Sequence, residues 1–128
     1  MNLKYLLLSL LAMFLIVYVS SIPDKSLWGN DSLSKQIIYN LAHIPAYGLL
    51  TFLWLKAFDI TRSRRQFLMV NAIILTGLAL FAVSDEIHQS FIPGRSASCM
   101  DVGLDGLGIF LGLSVFNKLK QPNKPSPR

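Results

Sequence analysis

The chain has 128 residues, a length that suits one domain. With 52% hydrophobic and 15% charged residues it is too apolar for an ordinary soluble domain and far from a disordered chain. Its net charge of +5 is scattered in short clusters between apolar runs, which argues against nucleic-acid binding, and the single cysteine, Cys99, excludes an internal disulfide and any multi-cysteine zinc site.

The first apolar run, Tyr5–Ile22, is long enough to cross a bilayer at about 1.5 Å per residue. It has a rival reading as a secretory signal peptide, with Lys4 as the basic flank and Val19-Ser20-Ser21 as a cleavage site. Its length and the weak small-x-small pattern favour an uncleaved span. The second run, Ile37–Phe58, carries His43 and Tyr47 four residues apart, with Pro45 between them. Pro45 cannot donate to the carbonyl of Leu41 and is expected to kink this helix. A histidine at that depth belongs against other helices or a wet cavity rather than lipid.

The third run, Phe67–Ser84, leads into Ser84-Asp85-Glu86-Ile87-His88-Gln89. Asp85 and Gln89 share a face if the helix continues through them. His88 reads as an interfacial residue. Pro93-Gly94 predicts a turn, with proline presetting φ and glycine taking positive φ.

The fourth run, Met100–Asn117, follows a helix-start pattern in which Ser98 is the N-cap and Asp101 answers it. From there Asp101, Asp105, Gly108 and Gly112 form one stripe, acidic at its start and glycine-lined beyond. Gly108 and Gly112 make a GxxxG pattern that lets a helix approach closely, either within the chain or from a second copy in a homo-oligomer. The Lys-Pro-rich segment 121–128 is expected to be a disordered cytoplasmic tail.

The fold class that follows is all-α: an integral membrane bundle of four transmembrane helices spanning residues 1–120. Lysine and arginine set its orientation. With both termini and the second loop inside, Lys4, Lys56, Arg62, Arg64, Arg65, Lys118, Lys120, Lys124 and Arg128 are cytoplasmic, against Lys25, Lys35 and Arg95 outside. Asp24, Asp31, Asp85, Glu86, Asp101 and Asp105 then fall outside or at outer helix ends, and only Asp59 inside.

This topology gathers a polar pocket at the outer face. Its expected ligand-binding residues are His43, Tyr47, Asp85, Glu86, Gln89, Arg95, Asp101 and Asp105. Each has a plainer reading: Asp101 as a helix cap, Arg95 as a partner of Asp85, Asp101 or lipid phosphate, Tyr47 and His43 as satisfied interior residues. Asp105 resists that treatment. An acid costs roughly 2.5–3.5 kcal/mol at full membrane depth and less near the interface. It needs a partner, and Arg95 and His43 are the candidates.

At these residues the sequence resembles the VanZ-like family, small membrane proteins named for a teicoplanin-resistance accessory protein. The resemblance rests on His43-x-x-x-Tyr47, on Asp85-Glu86-x-x-Gln89-x-Phe91-x-Pro93-Gly94-Arg95, on Asp101, and on the glycine-rich last helix. Two positions depart from the family pattern: Asn40 stands where members often have lysine, and Asp105 where asparagine is common. The resemblance implies a multi-pass protein of the bacterial cytoplasmic membrane with an envelope-related role, including glycopeptide tolerance.

The expected partner is a membrane lipid or a lipid-linked cell-wall ligand, bound non-enzymatically. No cofactor is expected, and no recognised metal-ligand spacing is present. The alternative is a membrane-embedded enzyme acting on a lipid or glycolipid headgroup, with His43, Asp85 and Glu86 as acid/base groups or ligands of a divalent metal. A third reading makes the polar cluster a structural lock for the bundle.

Overall fold

The computed structural model describes residues 1–23, 33–59, 63–95 and 98–120, and the regular structure among them is entirely helical. Its elements are α1 (Leu3–Ser20), α2 (Leu33–Ala57), α3 (Arg64–Gln89) and α4 (Cys99–Lys120). The side chains of 33–39 lie outside the described set, as do Asp24, Lys25, Asp31, Arg62, Ser96, Ala97 and the tail 121–128.

The helix boundaries follow local chemistry. At the start of α3 the Ser63 hydroxyl accepts the Gln66 N–H at 3.4 Å. At the start of α4 the Ser98 hydroxyl accepts the Met100 N–H at 3.1 Å. Both are N-caps that satisfy a donor the helix itself cannot. Between α3 and α4, Gly94 adopts φ 84° and the Arg95 N–H closes on the Ile92 carbonyl at 3.1 Å. Proline then glycine at the two central positions makes this a type II turn, in line with the turn that the sequence predicts. Helix α2 runs through Pro45 without interruption.

The polarity of the bundle is inverted relative to a soluble protein. Helix α1 buries Ser9 and Ser20, while Leu3, Leu7, Leu11, Phe14 and Tyr18 face outward. Helix α3 buries Leu78, Ala82, Asp85, Glu86 and Gln89 and exposes Leu68, Met69, Ile73, Leu80, Val83 and Ile87. Water would penalise that outward apolar surface, whereas a bilayer requires it. Among the described residues three helices, α1, α3 and α4, are long and apolar enough to cross a membrane.

Helix α2 is the helix most engaged by its neighbours. It packs most extensively on α4 and next on α1. Thus Tyr47, Leu50 and Thr51 are buried by neighbouring helices rather than by lipid. Its 25 residues rise about 37 Å, the full length of the bundle.

The close α2–α4 contact is built on glycine. A Cβ at Gly108 would lie 2.5 Å from the Ile44 carbonyl oxygen, and one at Gly112 would press into the Gly48 carbonyl and Thr51. The GxxxG face is therefore occupied by α2. Of the two readings that the sequence leaves for this pattern, the close approach within the chain is the one seen here.

One end of the bundle joins the chain's start to the ends of α2 and α4. The Asn2 N–H donates to the Ala57 carbonyl at 2.7 Å, and Lys120 pairs with Asp59. The end of α1, the end of α3 and the start of α4 meet at the opposite end, where the acidic residues collect.

Candidate functional site

Two polar clusters lie side by side at that end. In the first, Asp85 is buried and fully engaged. Its Oδ1 accepts the Ser20 hydroxyl at 2.7 Å and its Oδ2 accepts the Gln89 amide at 3.0 Å. The second bond is the one-turn pairing expected from a continuous α3. The Gln89 carbonyl oxygen in turn accepts from the Arg95 guanidinium at 3.2 Å. Two further Arg95 donors reach backbone carbonyls just past and within the end of α1, Ile22 at 2.9 Å and Val19 at 2.9 Å. Arg95 therefore ties the α3–α4 turn to the end of α1, where the Val19 carbonyl also accepts the Ile22 N–H at 3.2 Å.

The second cluster joins α2, α3 and α4. His43 Nδ1 and Asp105 Oδ1 lie 2.8 Å apart, and Asp105 is 0% exposed. Of the two partners that the sequence offers Asp105, this structure selects His43. Glu86, 4% exposed, accepts the Ser98 backbone N–H on Oε2 at 3.0 Å. That N–H is the donor Asp101 would take in a capping box. The sequence expectation is thus corrected: Glu86 of α3 answers Ser98, and this contact fastens the start of α4 to α3. Asp101 is buried one turn before Asp105, on the same face of α4.

Several buried polar atoms have no hydrogen-bond partner among the described residues: Tyr47 Oη, Glu86 Oε1, Asp101 Oδ1 and Asp105 Oδ2. Unsatisfied groups of this kind are rare in native interiors, and each calls for a partner such as a water or an ion, or for a role in strain or catalysis. Ligand atoms of His43, Glu86 and Asp105 all lie within 4.8 Å of one another.

A cavity of about 260 Å³ opens beside the first cluster. Leu15, Ile16, Val19 and Ser20 form its α1 wall, Ala42, His43, Ala46 and Tyr47 its α2 wall, and Asp85 and Gln89 its α3 wall. The α1 side is apolar apart from Ser20, whose hydroxyl is given to Asp85, and the other side carries a carboxylate, an amide and an imidazole. A second, larger cavity of about 460 Å³ lies toward the opposite end and is lined almost wholly by apolar side chains, including Met13, Phe58, Ile74 and Leu78.

All eight residues singled out in the sequence lie at one end of the bundle. They divide as Asp85, Gln89 and Arg95 on one side and His43, Glu86 and Asp105 on the other, with Tyr47 buried beside the cavity and Asp101 above Asp105. Sequence reasoning misses Ser20, the buried partner of Asp85, because Val19-Ser20-Ser21 reads as a cleavage-like pattern. It also misses Ser21, whose hydroxyl lies 2.9 Å from His88 Nε2. A serine at the end of an otherwise apolar span, facing the acids of another span, is the signal that could find Ser20.

The family model described as VanZ/LLP1 matches residues 5–120, almost the whole chain. No curated protein and no solved structure matches.

Proposed function

The chain belongs to the VanZ/LLP1 family, and from that premise we propose a multi-pass protein of the bacterial cytoplasmic membrane that acts in glycopeptide tolerance. In this reading it binds the headgroup of a membrane lipid or lipid-linked cell-wall intermediate at the outer leaflet. The observation that carries the proposal is the two-sided cavity. An apolar α1 wall suits an acyl or polyprenyl segment, and Asp85, Gln89 and His43 face the headgroup across it.

The charge at the cavity narrows the ligand. Arg95 directs donors to Val19, Ile22 and Gln89, so it braces the wall. The charged side chain that lines the chamber is Asp85; its two oxygens accept from Ser20 and Gln89 and keep further lone pairs toward the cavity, which a primary ammonium suits. Such a group is carried both by ethanolamine phospholipids and by the peptide stem of lipid-linked cell-wall precursors. The shared chemistry is an ammonium on a membrane-anchored amphiphile.

The test compares a deletion strain complemented with wild type, Asp85→Asn, Arg95→Ala and, as a control, Ser84→Ala, an exposed residue bonded to its own helix. Deletion, Asp85→Asn and Arg95→Ala should all lose glycopeptide tolerance at wild-type membrane abundance, while Ser84→Ala keeps it. Co-purified amphiphiles identified by native mass spectrometry separate the two sources. Unchanged susceptibility in the deletion strain would defeat the proposal.

A further inference from the structure

We propose that His43, Glu86 and Asp105 form a buried site for one divalent transition-metal cation between α2, α3 and α4. His43 also lines the headgroup cavity, but Glu86 and Asp105 do not, so the ion site and the headgroup reading can fail separately.

Geometry comes first. Three helices each contribute one donor residue, and the donor atoms already lie within 4.8 Å of one another. Tetrahedral ligands at zinc distances of about 2.0–2.1 Å sit roughly 3.3 Å apart, so modest side-chain rotation contracts the cluster onto an ion. Unsatisfied atoms provide an independent indication. Glu86 and Asp105 are 4% and 0% exposed, yet Glu86 Oε1 and Asp105 Oδ2 have no hydrogen-bond partner among the described residues. A buried carboxylate oxygen without a donor is costly, and a cation is the partner that removes the cost for both at once.

Charge and donor type then select the ion. One neutral imidazole and two carboxylates carry −2, which a divalent cation neutralises. The imidazole makes the set a poor choice for Mg²⁺ or Ca²⁺, which prefer all-oxygen shells, and a good one for Zn²⁺ or Mn²⁺. The remaining contacts fit an orienting role. The Ser98 N–H fixes Glu86 through Oε2 and leaves Oε1 for the ion. Asp101, buried one turn earlier on the same face of α4, adds negative charge next to the three ligands.

The experiment uses the full chain, purified in detergent, stripped with a chelator and titrated with Zn²⁺, Mn²⁺, Mg²⁺ or Ca²⁺. Wild type should bind about one Zn²⁺ or Mn²⁺ per chain by calorimetry and elemental analysis, and its melting temperature should rise. Glu86→Gln and Asp105→Asn should each weaken binding at least about tenfold. In chelator, Glu86→Gln should melt at or above wild type, because it removes an unpaired buried charge while keeping the Ser98 acceptor. In metal it should melt below wild type. That crossover separates a lost site from a misfolded variant. No saturable binding by wild type, wild-type affinity in both variants, or equal stabilisation by Mg²⁺ would overturn the proposal.

Discussion

Four carboxylates, Asp85, Glu86, Asp101 and Asp105, are buried in the interior of a bundle that turns its apolar side chains outward. Only Asp85 has both oxygens hydrogen-bonded among the described residues, through Ser20 and Gln89. Ser20→Ala should therefore strip one donor from a buried carboxylate. The expected loss is about 1–3 kcal/mol, read as a lower melting temperature in detergent. The same substitution in an Asp85→Asn background should cost markedly less, giving a coupling of roughly 0.5–3 kcal/mol in a double-mutant cycle. Strict additivity would mean that the hydroxyl does not support the carboxylate. This pairing also marks how far the sequence reaches at the scale of single residues. Spacing along α3 brings Asp85 and Gln89 together, and burial arguments demand a partner for Asp105. Which donor comes across from another helix depends on how the helices are arranged around the bundle, and periodicity within one helix carries no such information. His43 is named in advance from its depth in α2, whereas Ser20, at the end of α1, is not.

The seam between α2 and α4 makes a sharper prediction at the level of elements, because α4 contains glycines of two kinds. Gly108 and Gly112 are buried where a Cβ would meet α2 backbone, whereas Gly103 and Gly106 have nothing within 4 Å. Gly108→Ala and Gly112→Ala should push the helices apart and cost about 1–3 kcal/mol, the usual range for overpacking. Gly103→Ala and Gly106→Ala should be neutral or stabilise by about 0.5–1 kcal/mol, since alanine loses less backbone entropy in a helix. Thermal unfolding of the four variants in one detergent tests the division, and equal effects at all four positions would contradict the seam. The stripe Asp101, Asp105, Gly108, Gly112 was legible because a helical period of 3.6 forces these positions onto one face. Its neighbour was not, since small residues permit close approach without saying from which helix it comes. The seam also sets the depth of the second cluster: Gly108 lies three residues past Asp105, so whatever separates the helices there displaces Asp105 from His43.

For the molecule as a whole, orientation follows from how charge divides between its two ends. The contacts of Asn2 with Ala57 and of Lys120 with Asp59 bring Lys4, Lys56, Arg64, Arg65, Lys118 and Lys120 to one end. Arg95 and the buried acids sit at the other. Lysine and arginine near span ends are retained on the cytoplasmic side, so the basic end should be inside and the acidic cluster should open outward. Cys99 is the chain's single cysteine, is exposed, and begins α4 at the acidic end. It is therefore a natural reporter. A membrane-impermeant maleimide should label Cys99 on intact cells. In a Cys99→Ala background, Ser63→Cys, exposed at the start of α3 beside the basic end, should react only after the membrane is permeabilised. The reverse pattern would place the acidic cluster in the cytoplasm, where a ligand delivered from the outer leaflet could not reach Asp85, and the envelope reading would fail even though every contact within the bundle stayed the same.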